Sequence, residues 1–296
     1  MKYLPLIILT ALCSFVFPTH ERNAGKLKMP YRQEGMSERQ AAAHLLSRLS
    51  FGARPGDIDA VVNEGLNTWV EKQLEASATD EDVRQRLSKF DALNLDDETI
   101  VNTYLNAGQV LQFAQKNGLY KNDTSDLSRP QVRAELKKFM DEKGLKAPQE
   151  MIRQVISQKL IRAVYSENQL KEVMTDFWFN HFNVSFTKGQ AQNYILTYER
   201  DAVRPHVFGH FEDLLLATAK HPAMLLYLDN AQSVSDDNAI GRRLATAQQN
   251  KRGLNENYAR EVMELHTLGV DGGYTQKDVT ELARACLLYT SDAADE

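Results

Sequence analysis

The residues best suited to chemistry fall in two short stretches. The first is Lys171–Val184, KEVMTDFWFNHFNV. Wound as an α-helix at about 100° per residue, it sets Leu170, Val173, Met174, Phe177 and Val184 on one face, with His181 among them. An imidazole held there needs a hydrogen-bond partner, because an unsatisfied buried polar group costs about 1–3 kcal/mol. The second stretch is Glu256–Leu268, ENYAREVMELHTL. Asn255 is its expected N-cap, and Gly269 its expected stop, with Val270 placed to touch Leu265. Tyr258, Val262, Leu265 and Leu268 form the expected apolar stripe, and Glu261 projects between Leu265 and Leu268. Asn257 and Glu264 flank Glu261 on the same side. An isolated buried carboxylate is very costly, so Glu261 must be paired, hydrogen-bonded or protonated.

Two inward ionisable groups on different helices predict a shared centre, in which His181 and Glu261 face one another or one cavity. Asn257, Glu264, Asn180 and Asn183 are the residues that would complete it. A carboxylate that orients an imidazole is a general acid–base pair. The same contact can equally be structural, fixing the register of two helices. A metal site is not expected. Glu261, Glu264 and His266 resemble a ligand set when read linearly, but His266 lies about 140° round a regular helix from Glu261. The HExxH spacing is also absent.

Other polar residues carry less. His44 and Arg48, one turn apart at the edge of the first helix, are an anion-binding pair or a solvated face. His206 and His210 have helical spacing, but Pro205 and Gly209 argue against a regular helix there. Arg200 and Arg204 beside them would hold a carboxylate or phosphate, or form surface salt bridges. No serine sits in a nucleophile elbow. No cofactor is predicted.

The elements that must position these residues read as helices. Ser37-Glu38-Arg39-Gln40 is a capping box, Gly52 stops the helix it opens, and Ala41, Ala42, Leu45, Leu46 and Leu49 form its apolar face. Arg54–Asp57 is a turn into a short helix carrying Ile58, Val61 and Val62, broken by Gly65. A third helix covers Leu66–Leu74 with Trp69, Val70 and Leu74 inward. Further helices are expected over Thr99–Lys116 and Gln131–Lys143, with a loop at Asn122–Ser125, and helical periodicity resumes at Glu150. No stretch alternates β-branched residues, so the expected class is all-α, an irregular multi-helix bundle with little or no sheet.

Composition agrees. With 43% apolar and 25% charged residues, the chain of 296 is neither disordered nor fibrous. Only 15 Gly and 8 Pro favour helix, and a net charge of -5 argues against a dedicated nucleic-acid binder. Met1-Lys2-Tyr3 leads into the apolar run Leu4–Phe17, too short for a comfortable membrane span but suited to a secretory signal. Residues 1–24 are therefore expected to be a signal peptide, 25–36 a linker and 37–285 a single helical domain. No small-x-small pattern marks the cleavage site, and Leu12 before Cys13 fits a lipoprotein signal poorly. From Cys286 to Glu296 the chain resembles a translated transposon-end sequencing adapter, so 286–296 is read as a non-native tail. Without the two ends no cysteine is left, which removes disulfides and thiolate metal sites.

Several stretches together resemble a bacterial family, domain of unknown function 1800. They are His44–Gly52 (HLLSRLSFG), Phe177–Phe182 (FWFNHF), Pro222–Asp229 (PAMLLYLD) and Asn255–Gly269 (NENYAREVMELHTLG), followed by Gly273–Gln276 and Glu281–Ala285. The resemblance implies a largely helical, usually exported protein, longer than this chain, continuing past Leu282-Ala283-Arg284-Ala285 where Cys286 stands here. It also implies an exported sulfatase-like protein, encoded nearby, as a partner. It assigns no activity. Two functions are therefore expected in the alternative: an envelope or secreted interaction protein, or a hydrolase-type enzyme centred on His181 and Glu261. No stable transmembrane span is expected in the mature chain.

Overall fold

The computed structural model describes residues 27–119, 129–234 and 253–292. The expected signal peptide, with Cys13, and the loop Asn122–Ser125 lie outside the described residues. Among those described, helices dominate and no sheet forms, the one isolated bridge joining Tyr104 to Lys146.

Three helices open the fold. Helix α1 (Glu38–Leu49) starts at the expected capping box, Ser37 and Gln40 each accepting the other's backbone N–H. Helix α2 (Asp57–Glu64) follows a turn in which Gly56 takes a φ of 91° and Arg54 reaches Asp57 through both backbone and guanidinium. Helix α3 (Leu66–Glu75) brings in Trp69 and Val70, and the three share a core with Ala42, Leu45 and Leu46. The expectation for Leu74 is corrected: it is 50% exposed, and Gln73 is buried in its stead. The Gln73 amide donates to the Glu167 carbonyl and accepts the Leu170 N–H, so a polar tether outranks an apolar contact.

Next come α4 (Glu81–Leu87), α5 (Asp97–Thr103), α6 (Ala107–Lys116) and α7 (Arg129–Lys143). The single helix expected over Thr99–Lys116 is split. Leu105 donates to the Lys146 carbonyl, Lys146 donates back to Thr103, and Asn106 caps α6 with Gln109. Helix α8 (Pro148–Tyr165) begins with Pro148 in its first turn, where a missing N–H costs nothing. Helix α9 (Gln169–His181) ends before Val184, which nonetheless joins the main core with Phe182, Met151 and Tyr198.

Beyond α9 the chain is irregular, in keeping with Pro205 and Gly209. A 3₁₀ turn (Gly189–Tyr194) and the single-turn α10 (Ile195–Thr197) lead to a π-helical turn (Tyr198–Val203) and a 3₁₀ turn (Arg204–His206). Pro205 cannot donate to the preceding turn, which favours the switch in winding there. Helices α11 (Phe211–Lys220) and α12 (Pro222–Tyr227) add to the main core. The last part is α13 (Asn257–Glu261), which runs into a second π-helical turn (Val262–Thr267), and then α14 (Gln276–Asp292). Asp278 accepts both the N–H and the hydroxyl proton of Thr275 at the start of α14. Helix α14 continues through Ala285, and Cys286 packs against the main core, where burial pushes its thiol up to about 11. No helix of the described residues is long and apolar enough to cross a membrane.

Candidate functional site

The two helices predicted to hold the centre are both present, each turned from its expected phase. On α9 the buried positions are Leu170, Glu172 and Thr175, while Phe177 is 54% exposed. On α13 and its π turn, Tyr258, Ala259 and His266 are buried, while Leu265 and Leu268 are 60% and 57% exposed. The stripe expected through Leu265 and Leu268 is therefore corrected. A π turn spaces its hydrogen bonds five residues apart, so the face after Val262 lags a regular helix by about one residue. Thr267 and Leu268 mark it, donating from hydroxyl and backbone to Val262 and Met263 respectively. His266 thus takes the inward place expected for Leu265. Gly269 ends the turn with a φ of 91° and donates to the Met263 carbonyl.

His181 ends α9 half-buried, and its Nε2 lies 3.0 Å from the His266 carbonyl. A carbonyl has no proton to give, so Nε2 carries the hydrogen and Nδ1 keeps the lone pair when the ring is neutral. Around it stand Phe177, Trp178, Phe182, Phe211 and the His266 ring, the last with centroids 6.2 Å apart. Burial, and after it the His181 charge, hold His266 down at about 4. The partner of His181 is thus a backbone carbonyl, and no hydrogen bond or ion pair joins it to Glu261 among the described residues.

Glu261 is half-buried, and burial together with the neighbouring Glu264 raises its carboxyl above the usual range. Among the described residues it has no ion pair. Of the other expected members, Glu264 stays beside Glu261, half-buried, and the asparagines turn away. Asn257 is exposed, its amide 3.4 Å from the Leu228 carbonyl. Asn180 is exposed and donates back to Asp176 on its own helix, and Asn183 is exposed. His44 and Arg48 are exposed on α1, and neither forms an ion pair among the described residues.

A second group of charges gathers on Arg204, which the sequence offers as a carboxylate holder without naming its partners. Arg204 is half-buried rather than on the surface: its Nη1 lies 2.8 Å from both Glu172 oxygens and its Nη2 3.1 Å from Glu199. Lys159 approaches Glu199 at 3.2 Å and Asp176 at 3.3 Å, and Arg162 stands 3.8 Å from Glu172. Glu199 is 1% exposed and Glu172 6%, so these charges persist only because they are paired. Glu199 and Arg204 meet across the first π turn, five residues apart, a spacing that a regular helix would separate. A cavity of about 700 Å³ lies between the first three helices and the α8–α9 turn, with Phe51, Trp69 and Val164 in its walls.

With this geometry in view, comparison with known proteins gives one match. A family model described as "Protein of unknown function (DUF1800)" covers residues 44–286. The chain belongs to this family. The DUF1800 match begins at His44 and takes in both π turns, His181, the Glu261–His266 segment and the buried Glu172–Arg204 pair. No curated protein and no solved structure matches the chain.

Proposed function

We propose that this DUF1800 protein is exported and acts by binding a protein partner through the aromatic surface around His181. The observation that carries the reading is the exposure of large apolar side chains there: Phe177 at 54% and Phe211 at 43%, both in ring contact with His181. The segment that supplies the His266 carbonyl adds exposed Leu265, Leu268 and Val270. Soluble chains rarely leave several large apolar groups uncovered around one feature unless something binds there. The short apolar run Leu4–Phe17 supports export, and the partner proposed is the exported sulfatase-like protein implied by the family resemblance. Photo-crosslinking tests the reading. A benzophenone side chain at Phe177 is expected to capture that partner in the envelope, whereas equal capture from exposed Glu81, on α4, would refute it.

A second reading rests on Glu261, whose raised carboxyl keeps a proton more readily than a surface acid. In a hydrolase, that proton would serve as general acid and the His181 Nδ1 lone pair as base. Loss of a hydrolytic activity in both Glu261→Gln and His181→Asn, with the fold retained, would establish it. Activity surviving in both would remove it.

A further inference from the structure

The cavity of about 700 Å³ beside α1–α3 has the size of a small-molecule site. One of the stretches that carry the family resemblance lines it: Leu46, Ser50, Phe51 and Gly52 all belong to His44–Gly52. Three side-chain amides fix its walls. Gln73 joins α3 to the α8–α9 turn at Glu167 and Leu170. Asn168 donates to the Ala78 carbonyl and accepts the Ala78 N–H. Gln169 accepts the Phe51 N–H and donates to the carbonyls of Ala163 and Ser166. All three are engaged with backbone, so they shape the cavity and leave recognition to other groups.

The groups that remain have a definite character. Phe51 and Val164 are 51% and 50% exposed, and with Trp69 they supply an apolar lining. The basic residues of the wall are already neutralised, Arg54 by Asp57 at 3.0 Å and Lys72 by Glu64. Glu167 differs. Its backbone N–H and carbonyl are held by Asp80 and Gln73, yet the residue is exposed and its carboxylate forms no ion pair among the described residues. Phe51 also borders the buried charges, where Arg204 and Lys159 are matched by Glu172, Glu199 and Asp176. The uncompensated charge of the cavity wall is therefore negative. A carboxylate and an exposed phenyl ring in one wall both attract a cation, the first by ion pairing and the second through its ring face.

We propose that this cavity binds a ligand with an apolar body and a primary ammonium group, the body against Phe51, Trp69 and Val164 and the ammonium at Glu167. A free amine and a lysine side chain of a peptide share this chemistry. The site uses none of the exposed residues of the surface around His181, and neither proposal depends on the other.

Nuclear magnetic resonance of the full chain during titration with phenylbutylamine tests it. The chain has two tryptophans, and the Trp69 indole N–H signal, assigned by its loss in Trp69→Phe, should shift while that of Trp178 stays. Calorimetry should rank phenylbutylamine about fivefold tighter than phenylbutanol, with phenylbutyrate the weakest of the three. Glu167→Gln should bring the amine to the affinity of the alcohol and leave the alcohol unchanged. Phe51→Ala should weaken amine and alcohol alike, by at least about threefold. Both replaced residues are exposed, so the thermal midpoint should hold in each variant. A blocked phenylalanyl-lysine dipeptide that binds more tightly than the amine, with the same dependence on Glu167, assigns the ammonium to a peptide, and weaker binding assigns it to a free amine. No shift at Trp69 up to the solubility limit of the amine overturns the proposal. So does phenylbutyrate binding as well as the amine, or a preference for the amine that survives Glu167→Gln.

Discussion

Arg204 neutralises two carboxylates that water cannot reach, Glu172 and Glu199. Replacing it with methionine leaves both acids buried beside Lys159 and Arg162 alone. Such a change is expected to cost about 3–5 kcal/mol in urea unfolding. Arg39→Ala, which breaks an exposed pair with Asp59, should be indistinguishable from wild type. His266 makes the pH prediction. Burial, then the His181 charge, hold it at about 4, below the ordinary value near 6.5, so the folded chain resists taking the proton. The associated stability is complete above about pH 6.5 and is lost progressively as the pH falls toward 4. The loss is about 3 kcal/mol, and His266→Gln should flatten the stability profile between about pH 4 and 6.5.

At the scale of elements, the two π turns decide which side chains face inward. With this phase, Leu265→Ala changes stability by less than about 0.5 kcal/mol, since that side chain is already in solvent. Tyr258→Ala should cost about 3 kcal/mol or more, because Tyr258 belongs to the main core. Equal losses at the two positions in chemical denaturation would restore the regular helix. Gly269→Ala should cost about 1 kcal/mol, its φ of 91° being unfavourable to any side chain. What the sequence made legible here was local. Ser37 with Gln40, Gly56 and Gly269 set helix ends through neighbours a few residues away, and all do so in the structure. The faces of α3, α9 and α13 were not legible, because distant partners set them. Gln73 turns inward to meet Glu167 and Leu170, Glu172 to meet Arg204, and His266 follows an added residue in the winding. An apolar periodicity weighs hydrophobicity alone, so it placed Leu74, Phe177 and Leu265 inside.

For the whole molecule, an all-helical body delivers His181 and the His266 segment to one aromatic surface. His181 and Glu261 stand out in the sequence by type and spacing, and both lie on the segments that shape this region. Their direct contact was the part that sequence could not supply, since it depended on how two irregular helices cross. The surface presents Phe177, Phe211, Leu265, Leu268 and Val270 to solvent over buried Phe182 and His266, a form suited to meeting another protein. Calorimetric titration of the chain with the proposed sulfatase-like partner is the most direct measurement. Phe177→Ser should weaken binding at least about tenfold with the thermal midpoint unchanged, as truncating an aromatic anchor does. Absence of binding by the wild-type chain, or equal affinity for the two, would contradict the account.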